Sequence, residues 1–227
     1  EDFEKQNFGK MVLLDVTFDG FLRSVGVTYS GQLFNLAGSI NGYLIAMTNN
    51  GFHPLARPGN SKQVLHCRAS LVHCMRGAIN WLTLQKVAVT THFVVAHGQT
   101  GEVISLAVSN SDTANLEKDI LPIQDVFYCT NHVPPGRLGL KKPDPAVEVS
   151  PNSFDRYNML AELAPKNLPQ TPQDALNLFS RRRDNVLFRA SAEDGASVTL
   201  ATVVICPETG EMWVRDADPQ AEQLDWY

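Results

Sequence analysis

No apolar run in this sequence approaches the roughly 20 residues that a membrane-spanning helix needs, so no membrane partner is expected. Lys and Arg never cluster beyond the triplet Arg181-Arg182-Arg183, and the formal net charge is −5. Without a basic footprint, nucleic acid is not expected as a partner. The triplet itself reads as a solvated helix end, where cations meet the negative pole of the helix dipole. Neither G-x-x-x-x-G-K nor G-x-G-x-x-G occurs, which removes the glycine cradles of the common nucleotide folds. Cysteine is sparse. Cys67, Cys74, Cys129 and Cys206 are scattered and none forms C-x-x-C, so they read as buried or free thiols rather than a disulfide framework. Nothing in the chain calls for a cofactor.

What is present is an apolar content of 44% over 227 residues, enough to bury one sizeable core. "MVLLDVTFDGFLRSVGVTY" reads as two strands around the turn pair Asp19-Gly20. "GYLIAMTNN" is a short apolar run between glycines, as a buried strand would be. Asn60 and Ser61 can cap a helix over 61–82, whose apolar stripe is Leu65, Ala69, Val72, Met75, Ile79 and Leu82. "KVAVTTHFVVAHGQTGEVISLAVS" predicts a hairpin turning at Gly98-Gln99-Thr100-Gly101, and 126–131 is read as a further strand. The segment 134–149, rich in Pro and Gly, predicts a loop. Helices are expected over 153–182; in "TPQDALNLF" Thr171 is the cap, Pro172 takes the first helical position and Asp174 the capping-box slot. The chain closes on a hairpin around Pro207-Glu208-Thr209-Gly210. Strands toward both ends with helices between favour an α+β layered fold over a doubly wound sheet.

Several groups of residues could carry chemistry. Cys129 and His132 offer a thiol and an imidazole, but residues three apart at a strand end need not face each other. The plainer reading of Cys129 is a small buried hydrophobe. His66-Cys67 and His73-Cys74 recur two helical turns apart, about 10.5 Å of rise, too far for one tetrahedral zinc site. His92 and His97 would point to opposite faces of a strand. Asn41, Asn49, Asn50 and Asn131 sit at strand or turn boundaries. Each reads equally as turn chemistry or as an amide N–H donor for an oxyanion. Lys141 and Lys142 could draw a carboxylate, or be a solvated loop.

The order of these segments resembles the penicillin acyltransferase family and the related bile-salt-hydrolase-like enzymes. "LAGSINGYLIAMTNNGFHP" is similar to the family's block of glycine, Asn, apolar run and second Asn, here Asn41 and Asn50. "VLHCRASLV" with Arg68, "THFVVAHGQTGEVISLAVS", "YCTNHV", "SFDRYNMLAEL" and "SVTLATVVICPETGEMWV" follow in the family's order, from about Val12 to Arg215. The resemblance implies a single N-terminal-nucleophile hydrolase domain over 1–227, a four-layer αββα sandwich of two antiparallel sheets between helical layers. It implies Asn131 and Asn50 as catalytic residues, Asn131 giving its side-chain N–H to the oxyanion, with Asn41 and Asn49 at the substrate. Cys129 is then packing and His132 a neighbour.

The implied nucleophile is a cysteine freed by self-cleavage, its own α-amine acting as base. In this sequence that first place is held by Glu1, and "EDFEKQNFGK" contains no Asn-x-Asp block of the family's kind. The nucleophile is therefore expected upstream of Glu1. The implied activity is hydrolysis of a linear, non-peptide amide C–N bond, or acyl transfer, on a small-molecule amide substrate without metal or cofactor. Homo-oligomerisation and a separate N-terminal peptide from self-cleavage are compatible with such an enzyme. Two other readings stand beside it: an inactive relative that binds an acyl amide, and a structural subunit on the same fold.

Overall fold

A computed structural model of the chain describes residues 2–3, 11–17, 22–32, 38–51, 58–110, 116–124, 126–132, 151–163, 166, 168–179 and 198–216. Its centre is a seven-stranded antiparallel sheet of sequential neighbours. These are β2 (Met11–Thr17), β3 (Arg23–Tyr29), β4 (Gly38–Asn41), β5 (Ile45–Gly51), β6 (Thr91–His97), β7 (Glu102–Asn110) and β8 (Leu116–Pro122). A second layer is built from the short pair β1 (Asp2–Phe3) with β9 (Val198–Thr199), and from the hairpin of β10 (Ala201–Cys206) and β11 (Glu211–Asp216). Four helices occur among the described residues: α1 (Lys62–Ala69), α2 (Met75–Thr83), α3 (Pro151–Leu163) and α4 (Pro172–Phe179).

Strand alternation divides the large sheet into two faces. Ile45, Met47, Phe93, Val95, Leu106 and Val108 project to one side and meet Leu65, Ala69, Met75, Ala78 and Leu82 of α1 and α2. Val27, Ile40 and Ala46 project to the other and meet Met212, Val203 and Ile205 of the β10–β11 hairpin. Helix α4 packs on β10. The chain is thus α+β, with helices, large sheet, smaller sheet and helices in succession. The register is tight enough to exclude a side chain at one turn: a Cβ on Gly98 would overlap the Pro207 carbonyl of the opposite hairpin.

Two expectations are corrected, and one strand was not foreseen. The helix expected over 61–82 is two helices. Ser61 caps α1 by accepting from Val64 N, and the stripe from Leu65 to Leu82 does face the core. Between the helices Ser70 Oγ donates to the Cys67 carbonyl, and Asn41 Nδ2 donates to the carbonyls of Ser70 and Val72. Those side chains take up the carbonyls that a continuous helix would use, and Cys74 Sγ starts α2 by accepting from Gly77 N. Over 153–182 the structure has the expected helices as α3 and α4, with Thr171 and Asp174 closing the expected box at the start of α4. Residues 126–130 form no ladder, because they pack through their side chains: Phe127 stacks on His92 and Tyr128 tilts against Tyr157. Strand β8, rich in charge and ending in proline, carried too little apolar alternation to be foreseen.

The Asp19-Gly20 turn, the loop 134–149 with Lys141 and Lys142, and the arginines 181–183 lie outside the described residues. Strands β2 and β3 nonetheless pair as the hairpin requires, Thr17 opposite Arg23.

Candidate active site

A cleft of about 370 Å³ opens between the two sheets at the end of β5. Thr48, Asn49, Asn50 and Gly51 form one wall, Thr199 and Ala201–Val203 the facing one. Cys129, Thr130 and Asn131 come in along the large sheet, and Arg156, Leu160 and Phe179 close it from α3 and α4.

Asn131 is held at both ends of its amide. Arg156 Nη2 donates to Asn131 Oδ1 at 2.7 Å, and Asn131 Nδ2 donates to the Gly51 carbonyl at 3.2 Å. A guanidinium can only donate and a carbonyl can only accept, so the two partners fix which amide atom is oxygen. One Nδ2–H is spent on Gly51; the other is the donor left for the cleft. Asn50, half-buried at the end of β5, alternates onto the same inter-sheet face as Ala46.

The other sequence candidates have different places. Asn49 projects to the helix face, where its Nδ2 donates to His66 Nδ1 at 2.7 Å. His66 Nε2 therefore carries the proton and donates to Ser39 Oγ at 2.8 Å. The imidazole is fully buried; desolvation, then the charge of Lys62, push its pKa down to about 3, so it is neutral. Asn49 also reaches the cleft edge. Asn41 is not brought to this cleft. It is buried, donating to the Ser70 and Val72 carbonyls and accepting from the N–H groups of Tyr43 and Ile45. It pins the β4–β5 turn to the α1–α2 corner.

His132 is buried beside the cleft in a hydroxyl network. Thr130 Oγ1 donates to the Ser153 carbonyl and Ser153 Oγ donates to Thr130 Oγ1. Both hydroxyl protons are then committed, so His132 Nδ1, 2.9 Å from Ser153 Oγ and 3.1 Å from Thr130 Oγ1, carries the proton shared with them. The ring stacks on Phe154. Burial and then the charge of Arg156 hold its pKa below the usual histidine range. Cys129 was expected to be buried. It is half-buried on the cleft wall, because the segment carrying it runs along the sheet rather than inside it, and its thiol donates to the Thr130 carbonyl.

Two cleft cations were not singled out from the sequence. Arg156 lies three residues after Ser153 on α3, so the two share a face; one holds Asn131 and the other His132. That spacing in "SFDRYNMLAEL" was the available signal. Lys62 begins α1 and also lines the cleft. Among the described residues no three His, Cys, Asp or Glu side chains gather as a metal site requires, and no helix is long and apolar enough to cross a membrane.

Residues 9–221 match the family described as acyl-coenzyme A:6-aminopenicillanic acid acyl-transferase. No curated protein matches the sequence significantly. Two solved structures with similar folds are an arginine-to-leucine variant and a cysteine-to-alanine mutant of the conjugated bile acid hydrolase from Clostridium perfringens. The first has a TM-score of 0.53 at 11% identity, covering 97% of this chain and 85% of the other. The second has a TM-score of 0.56 at 10% identity with the same coverages. At these identities the likeness is one of fold.

Proposed function

The chain belongs to the acyl-coenzyme A:6-aminopenicillanic acid acyl-transferase family, and from that premise we propose that it cleaves or transfers the acyl group of a linear, non-peptide amide. The observation that carries this reading is the Asn131 amide, oriented by Arg156 and Gly51, with one N–H left for the cleft between the sheets.

In this reading a cysteine thiolate from a segment preceding Glu1, exposed by self-cleavage and served by its own α-amine, attacks the amide carbon. Negative charge moves to the carbonyl oxygen. Asn131 Nδ2–H meets that oxyanion, and Asn50 lines the same site. Donors aimed at charge that appears only in the transition state lower the barrier to the chemical step. Arg156 is a positioning residue: it holds Asn131 Oδ1, and its charge makes the remaining Nδ2–H a stronger donor. Collapse expels the amine, and water or a second amine then takes the acyl group from sulfur. His132 is given no part in the reaction: it is not among the residues that line the cleft, and its Nδ1 faces the hydroxyls of Ser153 and Thr130.

The test is to trap the acyl-enzyme by acid quench of the full-length gene product with aryl-acetyl amides, and to map the adduct by peptide mass spectrometry. An adduct on a cysteine preceding Glu1 is expected. An adduct on Cys129 would overturn the assignment of the nucleophile.

A further inference from the structure

The space between the sheets holds a second cavity, of about 440 Å³, at the end away from the cleft. Leu44 lines it just before β5 begins, whereas the cleft opens where β5 ends, about 20 Å further along the strand. Among the described residues none lines both. Between the two the sheets are in close contact: a Cβ on Gly38 would lie 3.4 Å from Ile205 Cδ1 and 3.6 Å from Val203 Cγ1. The walls of the second cavity are apolar. Leu13, Val25 and Ile40 come from the face of the large sheet that meets the β10–β11 hairpin, and Met212 comes from the hairpin. Leu44 adds a further wall from the left-handed region, at φ +60°, which strains a leucine. That backbone sets its side chain against the hairpin turn, where a Cβ on Gly210 would come 3.0 Å from Leu44 Cδ2. Strain is thus retained where it builds a wall of this cavity.

The hydrogen-bonding capacity at the rim is narrow. Strand alternation puts Arg23 and Asp15 on the same face as Val25 and Leu13. Arg23 Nε donates to Asp15 Oδ1 at 2.8 Å and Nη2 to Oδ2 at 2.6 Å. That hydrogen bonding holds the Asp15 carboxyl below its usual range, so the pair is ionised and mutually neutral. Arg23 Nη1 keeps its N–H groups for a ligand, and a guanidinium can only donate. Asn41 is committed at the α1–α2 corner. Glu211, the other charge lining the cavity, accepts from Thr209 Oγ1 and leaves the rim negative. A carboxylate would therefore meet Asp15 and Glu211, and an ammonium has no lone pair for Arg23.

We propose that this cavity is a second ligand site, taking an uncharged molecule with an aryl or short alkyl body and one carbonyl-type acceptor directed at Arg23. Its volume lies in the range of small-molecule pockets, and it does not depend on the amide-cleaving reading.

The probe is acetophenone, which has a ring, one carbonyl and no C–N bond to cleave. Backbone-amide NMR spectra of the full-length protein are recorded as it is added, with benzoate and benzylammonium titrated in parallel. Acetophenone is expected to bind with a Kd of about 0.1–1 mM and at least about fivefold more tightly than either charged ring. The shifted amides should include Leu13, Val25, Leu44 and Met212. Val25→Phe fills the cavity and should abolish binding. Leu44→Gly takes the left-handed backbone without strain but removes a wall, and should weaken binding at least about fivefold. No binding at about 10 mM, shifts confined to the cleft residues 48–51 and 131, equal affinity for the three rings, or affinity unchanged in either variant would each overturn the site.

Discussion

Arg156 Nη2 lies 2.7 Å from Asn131 Oδ1, so a cation on α3 sets the orientation of an amide in a segment 25 positions earlier in the chain. In the proposed reaction this divides the labour: Asn131 donates and Arg156 keeps it pointing. Removing the guanidinium frees the amide to flip and present oxygen to an oxyanion. Arg156→Ala should lower kcat by about 10- to 100-fold, the range set by losing a charge-assisted hydrogen bond. Guanidinium ion added at low concentration should restore part of it, which a merely structural arginine would not show. Steady-state kinetics with and without added guanidinium decide the point.

Asn41 is expected to act on stability rather than chemistry. Its side chain satisfies two carbonyls and two N–H groups at a buried corner. Asn41→Ala leaves them without that partner, at a cost of about 3 kcal/mol. Denaturant unfolding should show that loss while kcat per folded molecule stays near the parent value.

The sequence disclosed the architecture more fully than the site, and the reasons are local. Ser61, Thr171 and Asp174 work as caps through contacts within a few residues, so short-range pattern was enough. The stripe from Leu65 to Leu82 was legible as a period, but not its interruption. That depends on Asn41, which reaches the carbonyls of Ser70 and Val72 from 29 and 31 positions away. The same holds for the cleft. Asn50 and Asn131 stood out as amides at element ends, whereas Arg156 and Lys62 gain meaning only when α3 and α1 are brought against Gly51. Asn49 and Asn50 are neighbours in sequence with opposite assignments, because strand alternation sends one to His66 and the other to the cleft side.

His66 gives the protein an acid limit. Its pKa is pushed from 6.5 down to about 3 in the fold. The unfolded chain therefore takes up the proton first, and stability from this group is complete above pH about 6.5 and declines as pH falls toward 3. The slope is about 1.4 kcal/mol per pH unit for one proton. His132, shifted in the same direction, adds to the acid side of the curve. Urea unfolding between pH 7 and 4 should show this decline. It should flatten in His66→Gln, which has no proton to gain; an unchanged slope in that variant would contradict the assignment.

Thiol reactivity should follow exposure. Cys74 is exposed, while Cys67, Cys129 and Cys206 are half-buried, and burial raises the thiol pKa of Cys67 and Cys206. Cys74 should react first with a disulfide reagent at neutral pH, because the thiolate is the reactive form. Cys129→Ser should leave kcat within about twofold of the parent, since its thiol is committed to a neighbouring carbonyl and is given no part in the reaction.

The central claim is that Asn131 stabilises the oxyanion, and Asn131→Ala in the full-length protein tests it most directly. kcat and melting temperature are measured on one preparation, with kcat normalised by active-site titration. The predicted result is a fall in kcat of about 10²–10³, about 2.7–4 kcal/mol, with a much smaller change in KM. A lowered melting temperature with kcat per folded molecule unchanged would contradict it and leave Asn131 as a turn residue held by Arg156.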